Sequence, residues 1–427
     1  MNTSNQKRIA LISVHGDPAI EIGKEEAGGQ NVYVRQVGEA LAKLGWQVDM
    51  FTRKASAEDA RIVEHLPNCR TIRLTAGPEE FISRDNLFPY LPEFVEQVLK
   101  FQADEGIKYT LFHTNYWLSS WVGMQLKKRQ GSKQVHTYHS LGCVKYKSVS
   151  TIPLIAKTRL EVEKTLLETA ERVVATSPQE KQHMRSLVSS KGNIDIIPCG
   201  TDIHRFGSVS QEQAREILGI DKEAAVVLYV GRFDRRKGIE TLVRAVGQSQ
   251  LRGKKDIKLI IGGGSRPGQS DGLERDRIEE IVAELGMSDM TIFPGRLGDD
   301  TLHNYYAAAD VCVVPSHYEP FGLVAIEAMA SSTPVVASDV GGLQFTVVPE
   351  ETGLLAPPKD DAAFAEAIDR ILSLDPDDRN KMGRAARKRV EKMFSWEGVA
   401  TQLGELYEEL QKPSVEEEVK PKAVAIA

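Results

Sequence analysis

Cysteine is scarce in this sequence: four in 427 residues, at Cys69, Cys143, Cys199 and Cys312. They are widely separated, with no C-x-x-C and no Cys/His pair at zinc-ligand spacing, which argues against a disulfide-built scaffold and against a zinc module. Free thiols suit a reducing cytoplasm, and a cytoplasmic location is expected. There is no excess of positive charge either: 54 Lys and Arg against 60 Asp and Glu leave a net charge of -6. A general nucleic-acid binder carries the opposite balance, so no nucleic-acid partner is expected and any anion site must be local. Long apolar runs are also missing. Nothing approaches the ~20 apolar residues of a membrane span, and the start, MNTSNQKRIALISV, does not have the form of a signal peptide. What remains is an ordinary globular composition, 41% hydrophobic and 27% charged, over a length that suits roughly two to three domains.

Short apolar, β-branched runs alternate with longer amphipathic stretches, the trace of βαβ units and a mostly parallel sheet. In the first half the spacing predicts strands at 8–14, 47–52, 71–74, 110–113, 134–138, 172–176 and 193–197. Helices are predicted at 29–44, 91–105, 117–128, 151–169 and 178–188. Turn residues and a short helix interrupt the pattern around 199–221. A second series then opens with a strand at 225–230 and continues to 337. The predicted fold class is therefore α/β, two facing Rossmann-like doubly wound units: residues 1–205 and 206–395. A last helix, 396–412, is expected to cross back onto the first unit, and 413–427 reads as a mobile tail. Doubly wound sheets bind ligands at the carboxyl ends of their strands, so functional residues should follow strands.

Four segments do. The loop 15–29, HGDPAIEIGKEEAGG, ends in Gly28-Gly29 at a helix start, where main-chain N–H groups and the helix dipole attract an anion; alone, the pair could equally be a flexible helix entry. Arg232 and Lys237 in GRFDRRKG follow the first strand of the second unit, a place for cations that neutralise a diphosphate. In SHYEPFGLVAIE, Glu319 lies in a loop after an apolar strand and Glu327 a turn into the next helix. Two carboxylates facing one pocket can accept hydrogen bonds from vicinal sugar hydroxyls, and the N–H groups of Phe321, Gly322 and Leu323 can meet other sugar oxygens. His139 in TYHSLG and His113 in HTNYW end neighbouring predicted strands, so both imidazoles could reach a cleft, although no metal set is completed. Two look-alikes are set aside: GGSRPGQS, residues 263–270, has Gln269 where a phosphate-binding loop needs lysine, and Asp375-Pro376-Asp377 reads as a polar turn.

Taken in order over about 300 residues, the Gly-Gly loop, GRFDRRKG and EPFGLVAIEAMA resemble the retaining glycosyltransferases of the two-Rossmann-domain (GT-B) architecture, with EPFGLVAIE matching their E-x7-E motif. The resemblance implies that Glu327 holds the nucleotide ribose and that Glu319, Phe321, Gly322 and Leu323 hold the donor sugar. Arg232 and Lys237 would bind the diphosphate, assisted by Gly28 and Gly29. The stretch FPGRL, with Arg296 and Leu297, would read the base, and His139 would be the active-site histidine. Two subfamilies resemble the acceptor side. ISVHGDP, AGGQNVYV and NYWLSS are similar to the inositol-phosphate glycosyltransferases of mycothiol synthesis. FISRDNLFPYL and TYHSLG are similar to sucrose-phosphate synthases, whose F-x-x-[RK]-x-x-L-x-P-Y-L pattern is met here with Arg84 where lysine is usual. Either subfamily implies a phosphorylated acceptor held by Gln30, Asn31, Arg84, Tyr116, His139, Lys145 and Arg159. Read from its own helix, TRLEVEK, Arg159 could equally be an exposed charge. The second pattern spans the segment expected to touch the acceptor, so the expected reaction is glucose transfer from UDP-glucose or ADP-glucose to fructose 6-phosphate by a minimal synthase. No cofactor is expected to be required and no resident metal site is predicted, Mg2+ entering at most as an activator.

Overall fold

A computed structural model describes residues 7–20, 28–147, 152–298 and 300–412; the predicted tail at 413–427 and part of the Gly-Gly loop lie outside these residues. The first sheet comprises β1 (Arg8–Ile12), β2 (Gln47–Arg53), β3 (Ile62–Leu66), β4 (Cys69–Leu74), β5 (Leu111–Asn115), β6 (Lys133–Thr137), β7 (Arg172–Ala175) and β8 (Ile194–Ile196). Its order is β3-β4-β2-β1-β5-β6-β7-β8, parallel except for the β3–β4 pair. The second comprises β9 (Ala225–Val230), β10 (Ile257–Gly262), β11 (Thr291–Gly295), β12 (Val311–Val314), β13 (Val335–Ser338) and β14 (Gly353–Ala356). It is wholly parallel, in the order β11-β10-β9-β12-β13-β14.

Central strands such as AVVLYV and VCVV are buried nearly throughout because helices cover both faces. That is why they read as unbroken apolar runs rather than as alternation. Two strands have no such signature. β3 is an edge strand with no fully buried residue, and its pairing comes from the hairpin partner β4. β14 is only four residues long and gains its register from β13.

Each sheet has one switch in strand order, between β1 and β5 in the first and between β9 and β12 in the second. Loops leave such a point in opposite directions and open a crevice. The loop after β1 and the turn after β5 carry His15, Gly28, Gly29 and Tyr116; the loops after β9 and β12 carry Arg232, Lys237 and Glu319.

The helix Trp396–Gln411 returns to the first sheet as expected, packing on the helix Gly29–Lys43. Tyr407 stacks edge-on against Trp46, and Lys133 Nζ donates to the carbonyl of Leu410 near the helix end. Here the structure corrects one expectation. His113 does not reach the cleft: it is fully buried, with Nδ1 bonded to the Tyr407 hydroxyl and Nε2 2.9 Å from Thr137 Oγ1. It joins the sheet to the returning helix, because alternation along β5 turns its side chain toward that layer. Asp375 caps the helix Pro376–Met393, its carboxylate accepting from Asp377 N. That accounts for the Asp375-Pro376-Asp377 segment as a helix start.

Candidate active site

The basic turn after β9 is held from both ends. Asp234 caps it by accepting from Arg236 N at 3.0 Å, and Gly238 closes it in the left-handed region at φ 67°. A Cβ at Gly238 would lie 2.0 Å from the carbonyl oxygen of Pro315, so only glycine lets this turn lie against the loop after β12. The close approach brings Lys237 Nζ to 2.6 Å from Glu319 Oε2, with Ser316 Oγ 3.3 Å from the same oxygen. Lys237 and Glu319, 82 residues apart, thus form one partly exposed ion pair at the strand-order switch. The main-chain oxygen of Arg232 accepts from the Tyr229 hydroxyl at 3.1 Å, which fixes the start of the turn.

Glu319 precedes the helix Leu323–Ala330, whose cap is Gly322 at φ 98°. The first N–H groups of this helix have no intrahelical partner and are available to an anion or a sugar oxygen. Glu327, one turn along, accepts from the Tyr306 hydroxyl at 2.7 Å. Burial, with the Glu327 carboxylate beside it, pushes that hydroxyl well above its ordinary range, so Tyr306 stays a donor. Arg296 and Leu297 follow β11 directly, and the loop at Gly262–Gly264 runs alongside them. The two units meet at Gly29, where a Cβ would lie 3.1 Å from Leu323 Cδ1. The Gly-Gly helix start and the Gly322 helix start therefore face each other.

On the first unit a second group of cations converges. Arg159 is not an exposed helix charge: it is 1% exposed, with Nε 2.7 Å from Glu163 Oε1, one terminal nitrogen donating to the Tyr116 hydroxyl at 3.1 Å and the other to Ser140 O at 2.7 Å. Its guanidinium also covers the rings of Tyr116 and Tyr146. Burial, and after it the positive charges of Arg84, Arg159 and, from the second unit, Arg236, push the Lys145 ammonium down to about 8. Several cations acting on one ammonium mark a region of concentrated positive charge, the electrostatic form of a dianion pocket. Burial first, then Arg84 and more weakly Arg159 and Lys145, hold the His15 imidazole at about 3. Gln30 donates to Ser13 Oγ at 2.9 Å beside this pocket. Asn31 is engaged by the loop itself, accepting from Gly28 N at 3.1 Å and donating to Asp17 O at 3.0 Å, so in this conformation it shapes the helix entry.

His139 lies on the first unit, against the helix Gly29–Lys43 and near His15. Its Nε2 is 2.8 Å from Asn115 Oδ1, its ring meets Tyr33 edge-on at 4.8 Å, and burial lowers its pKa to about 3, so it is neutral at physiological pH. Among the described residues no group of three His, Cys, Asp or Glu side chains could hold a metal ion, and no helix is long and apolar enough to cross a membrane.

Sequence reasoning missed Asn115, His15, Tyr306 and the pair Gly341-Gly342. The last carried a signal, a further Gly-Gly step four residues past the stretch read up to 337. Gly341 has φ 50°, and a Cβ there would lie 2.3 Å from the carbonyl oxygen of Glu319. Gly341→Ala is accordingly expected to displace the Glu319 backbone and lower kcat about 100-fold, the scale of a 1 Å misplacement of a catalytic group. Steady-state kinetics with a circular dichroism spectrum as control would check this; an unchanged kcat would show that the Glu319 loop is not held by this contact.

Comparison with known proteins bears on these arrangements. The family model "Glycosyl transferases group 1" matches residues 210–389, and the model "Glycosyl transferase 4-like domain" matches residues 28–200. The chain is 37% identical over 418 residues to D-inositol 3-phosphate glycosyltransferase of Corynebacterium urealyticum, covering 96% of this chain and 97% of that protein. Among solved structures it is similar to sucrose-phosphate synthase from Thermosynechococcus elongatus, with a TM-score of 0.87, 54% identity, and coverage of 95% of this chain and 99% of that one. It shares its fold with HepE of Anabaena, solved with UDP and glucose, at a TM-score of 0.73 and 20% identity over 94% of this chain and 100% of that one.

Proposed function

Because this chain belongs to the group 1 glycosyltransferases, we propose that it transfers glucose from UDP-glucose to fructose 6-phosphate with retention at C1, yielding sucrose 6-phosphate and UDP. The observation that carries the choice of acceptor is the 54% identity to a sucrose-phosphate synthase over nearly the whole length, against 37% to the inositol-phosphate enzyme. The pocket formed around Arg84, Lys145, Arg159 and Tyr116 supports a phosphorylated acceptor in either case.

In this reading the donor diphosphate lies over the turn holding Arg232 and Lys237, with the Gly28-Gly29 helix start opposite. Glu327 takes the ribose hydroxyls, Glu319 and the N–H groups of Phe321, Gly322 and Leu323 take the glucose, and Arg296 and Leu297 border the base, which main-chain groups read. The C1–O bond to the diphosphate breaks as a C1–O bond to the acceptor forms on the same face. The departing diphosphate oxygen takes the acceptor proton. Negative charge gathers on that oxygen in the transition state, and preorganised cations stabilise it without having to reorient. Charge neutralisation is assigned to Arg232 and Lys237, with Mg2+ as an activator and not a requirement.

The test supplies UDP-glucose, ADP-glucose and UDP-N-acetylglucosamine separately with fructose 6-phosphate, fructose or inositol 3-phosphate, with and without EDTA, and follows nucleotide release and glycoside product. Sucrose 6-phosphate from UDP-glucose and fructose 6-phosphate, retained in EDTA, is the expected result. Product with inositol 3-phosphate alone would overturn the acceptor while leaving the donor site in place. In the same assay Arg84→Ala should raise KM for fructose 6-phosphate about tenfold or more, the size of one lost charge-assisted hydrogen bond, with KM for UDP-glucose unchanged. Equal effects on both substrates would remove Arg84 from the acceptor pocket.

A further inference from the structure

Tyr116 directly follows β5 and His139 lies two residues past the end of the neighbouring β6; both have left-handed backbone, at φ 72° and φ 59°. For side chains of this size such a conformation is strained, and it persists only where the surroundings hold it. Asn115 stands between them. Its Nδ2 faces two carbonyl oxygens, Ile12 O and His113 O, each at 3.4 Å. An amide nitrogen can only donate, so this pair of acceptors sets the amide's orientation and leaves Oδ1 toward His139. Oδ1 can only accept, which places the hydrogen on His139 Nε2, 2.8 Å away. The ring's lone pair is then on Nδ1, which makes no hydrogen bond among the described residues.

We propose that Asn115 is a positioning residue that holds His139 as the Nε2–H tautomer, so that Nδ1 presents a lone pair to a hydroxyl of the donor hexose. The inference rests on the reading of His139 as the residue that faces the donor. It gives that residue a definite chemistry: a hydrogen-bond acceptor, which neither the other tautomer nor an imidazolium provides at Nδ1. The groups around the ring leave this state undisturbed. Tyr33 packs edge-on from the helix Gly29–Lys43 and is itself backed by Trp396. The imidazoles of His15, His113 and His136, from the β1 loop, β5 and β6, are all held neutral chiefly by burial.

The experiment is a long-range proton–nitrogen correlation spectrum of the full chain with 15N-labelled histidine rings, His139 being assigned by its loss in His139→Gln. Wild type should show the Nε2–H pattern for His139, constant from pH 6 to 8. Asn115→Ala should give mixed tautomers and lower kcat about tenfold, the scale of lost orientation of one group, with acceptor KM unchanged. Asn115→Asp keeps an acceptor but adds a negative charge that favours the imidazolium. It should make His139 titrate between pH 5 and 8 and add an acidic limb to the rate, absent in wild type, along which turnover falls at least about tenfold. An Nδ1–H pattern in wild type, or an Asn115→Ala protein with wild-type spectrum and kcat, would overturn the proposal. Should the alanine variant not fold, the wild-type spectrum and the aspartate variant decide. Because the spectra need no substrate, a wrong donor or acceptor would appear in the product assay alone and be told apart from a wrong tautomer.

Discussion

Lys237→Ala should lower kcat by about 100-fold or more, the usual cost of deleting one preorganised donor to a developing charge, while melting within a few degrees of wild type. Stability should change little because the Lys237–Glu319 pair is partly exposed, with side-chain exposures of 27% and 15%, and because the turn is held by Asp234 and Gly238 rather than by lysine. Initial rates of UDP release and thermal denaturation by circular dichroism check both halves. A bland alternative is that Lys237 merely neutralises Glu319. In that case the double variant Lys237→Ala/Glu319→Gln would recover activity, whereas a direct role on the diphosphate leaves it as impaired as the single variant or more so. Turnover near the wild-type value in Lys237→Ala would remove the diphosphate assignment.

The second large effect is expected at Arg159, and it is on stability as well as on the acceptor. Arg159 and Glu163 are both 1% exposed in their side chains, and the carboxylate also accepts from Gly142 N at 3.0 and 3.1 Å. Arg159→Met keeps the volume and removes the charge, which strands a buried carboxylate. Breaking such a pair typically costs about 3–5 kcal/mol, or a fall in melting temperature on the order of 10 °C for a unit of this size.

The pH dependence has a definite sign. Burial already raises the Glu163 pKa above its ordinary value, with Arg159 opposing it; without Arg159 it rises further. A carboxyl whose folded pKa exceeds its unfolded one loses stability as pH rises between the two values. The variant should therefore be closest to wild type near pH 5 and furthest from it at pH 8. A deficit independent of pH would mean that Glu163 is not left ionised and unpaired. KM for the phosphorylated acceptor should rise alongside, since Tyr116 and the Ser140 carbonyl lose the group that fixes them.

Much of this molecule was legible in advance, for local reasons. The runs at 225–230 and 311–314 are apolar because both sheet faces are covered, so they identify their own strands. Glu319 and Glu327 could be assigned to one helix start because Pro320 and Gly322 punctuate the chain there. The helices Ile239–Gly247, Asp361–Ser373 and Pro376–Met393, by contrast, were not read, and neither were β3 and β14. β3 owes its conformation to a partner strand and not to its own pattern.

The sequence by itself determined the α/β alternation, the two units and the residue types offered at each strand end, since these follow from periodicity and turn chemistry within a few residues. Only the tertiary structure decided which of those residues become neighbours. His113 and His139 look alike along the chain. Pleat direction and the returning helix put one in the core against Tyr407, while a left-handed backbone and Asn115 hold the other at the partly buried end of its strand, beside Tyr33. From its own helix alone Arg159 could equally be a surface charge, yet it is buried against Glu163, Tyr116 and Ser140. Burial and hydrogen-bond geometry belong to pairs far apart in the chain, as with Lys237 and Glu319, and no local pattern encodes them.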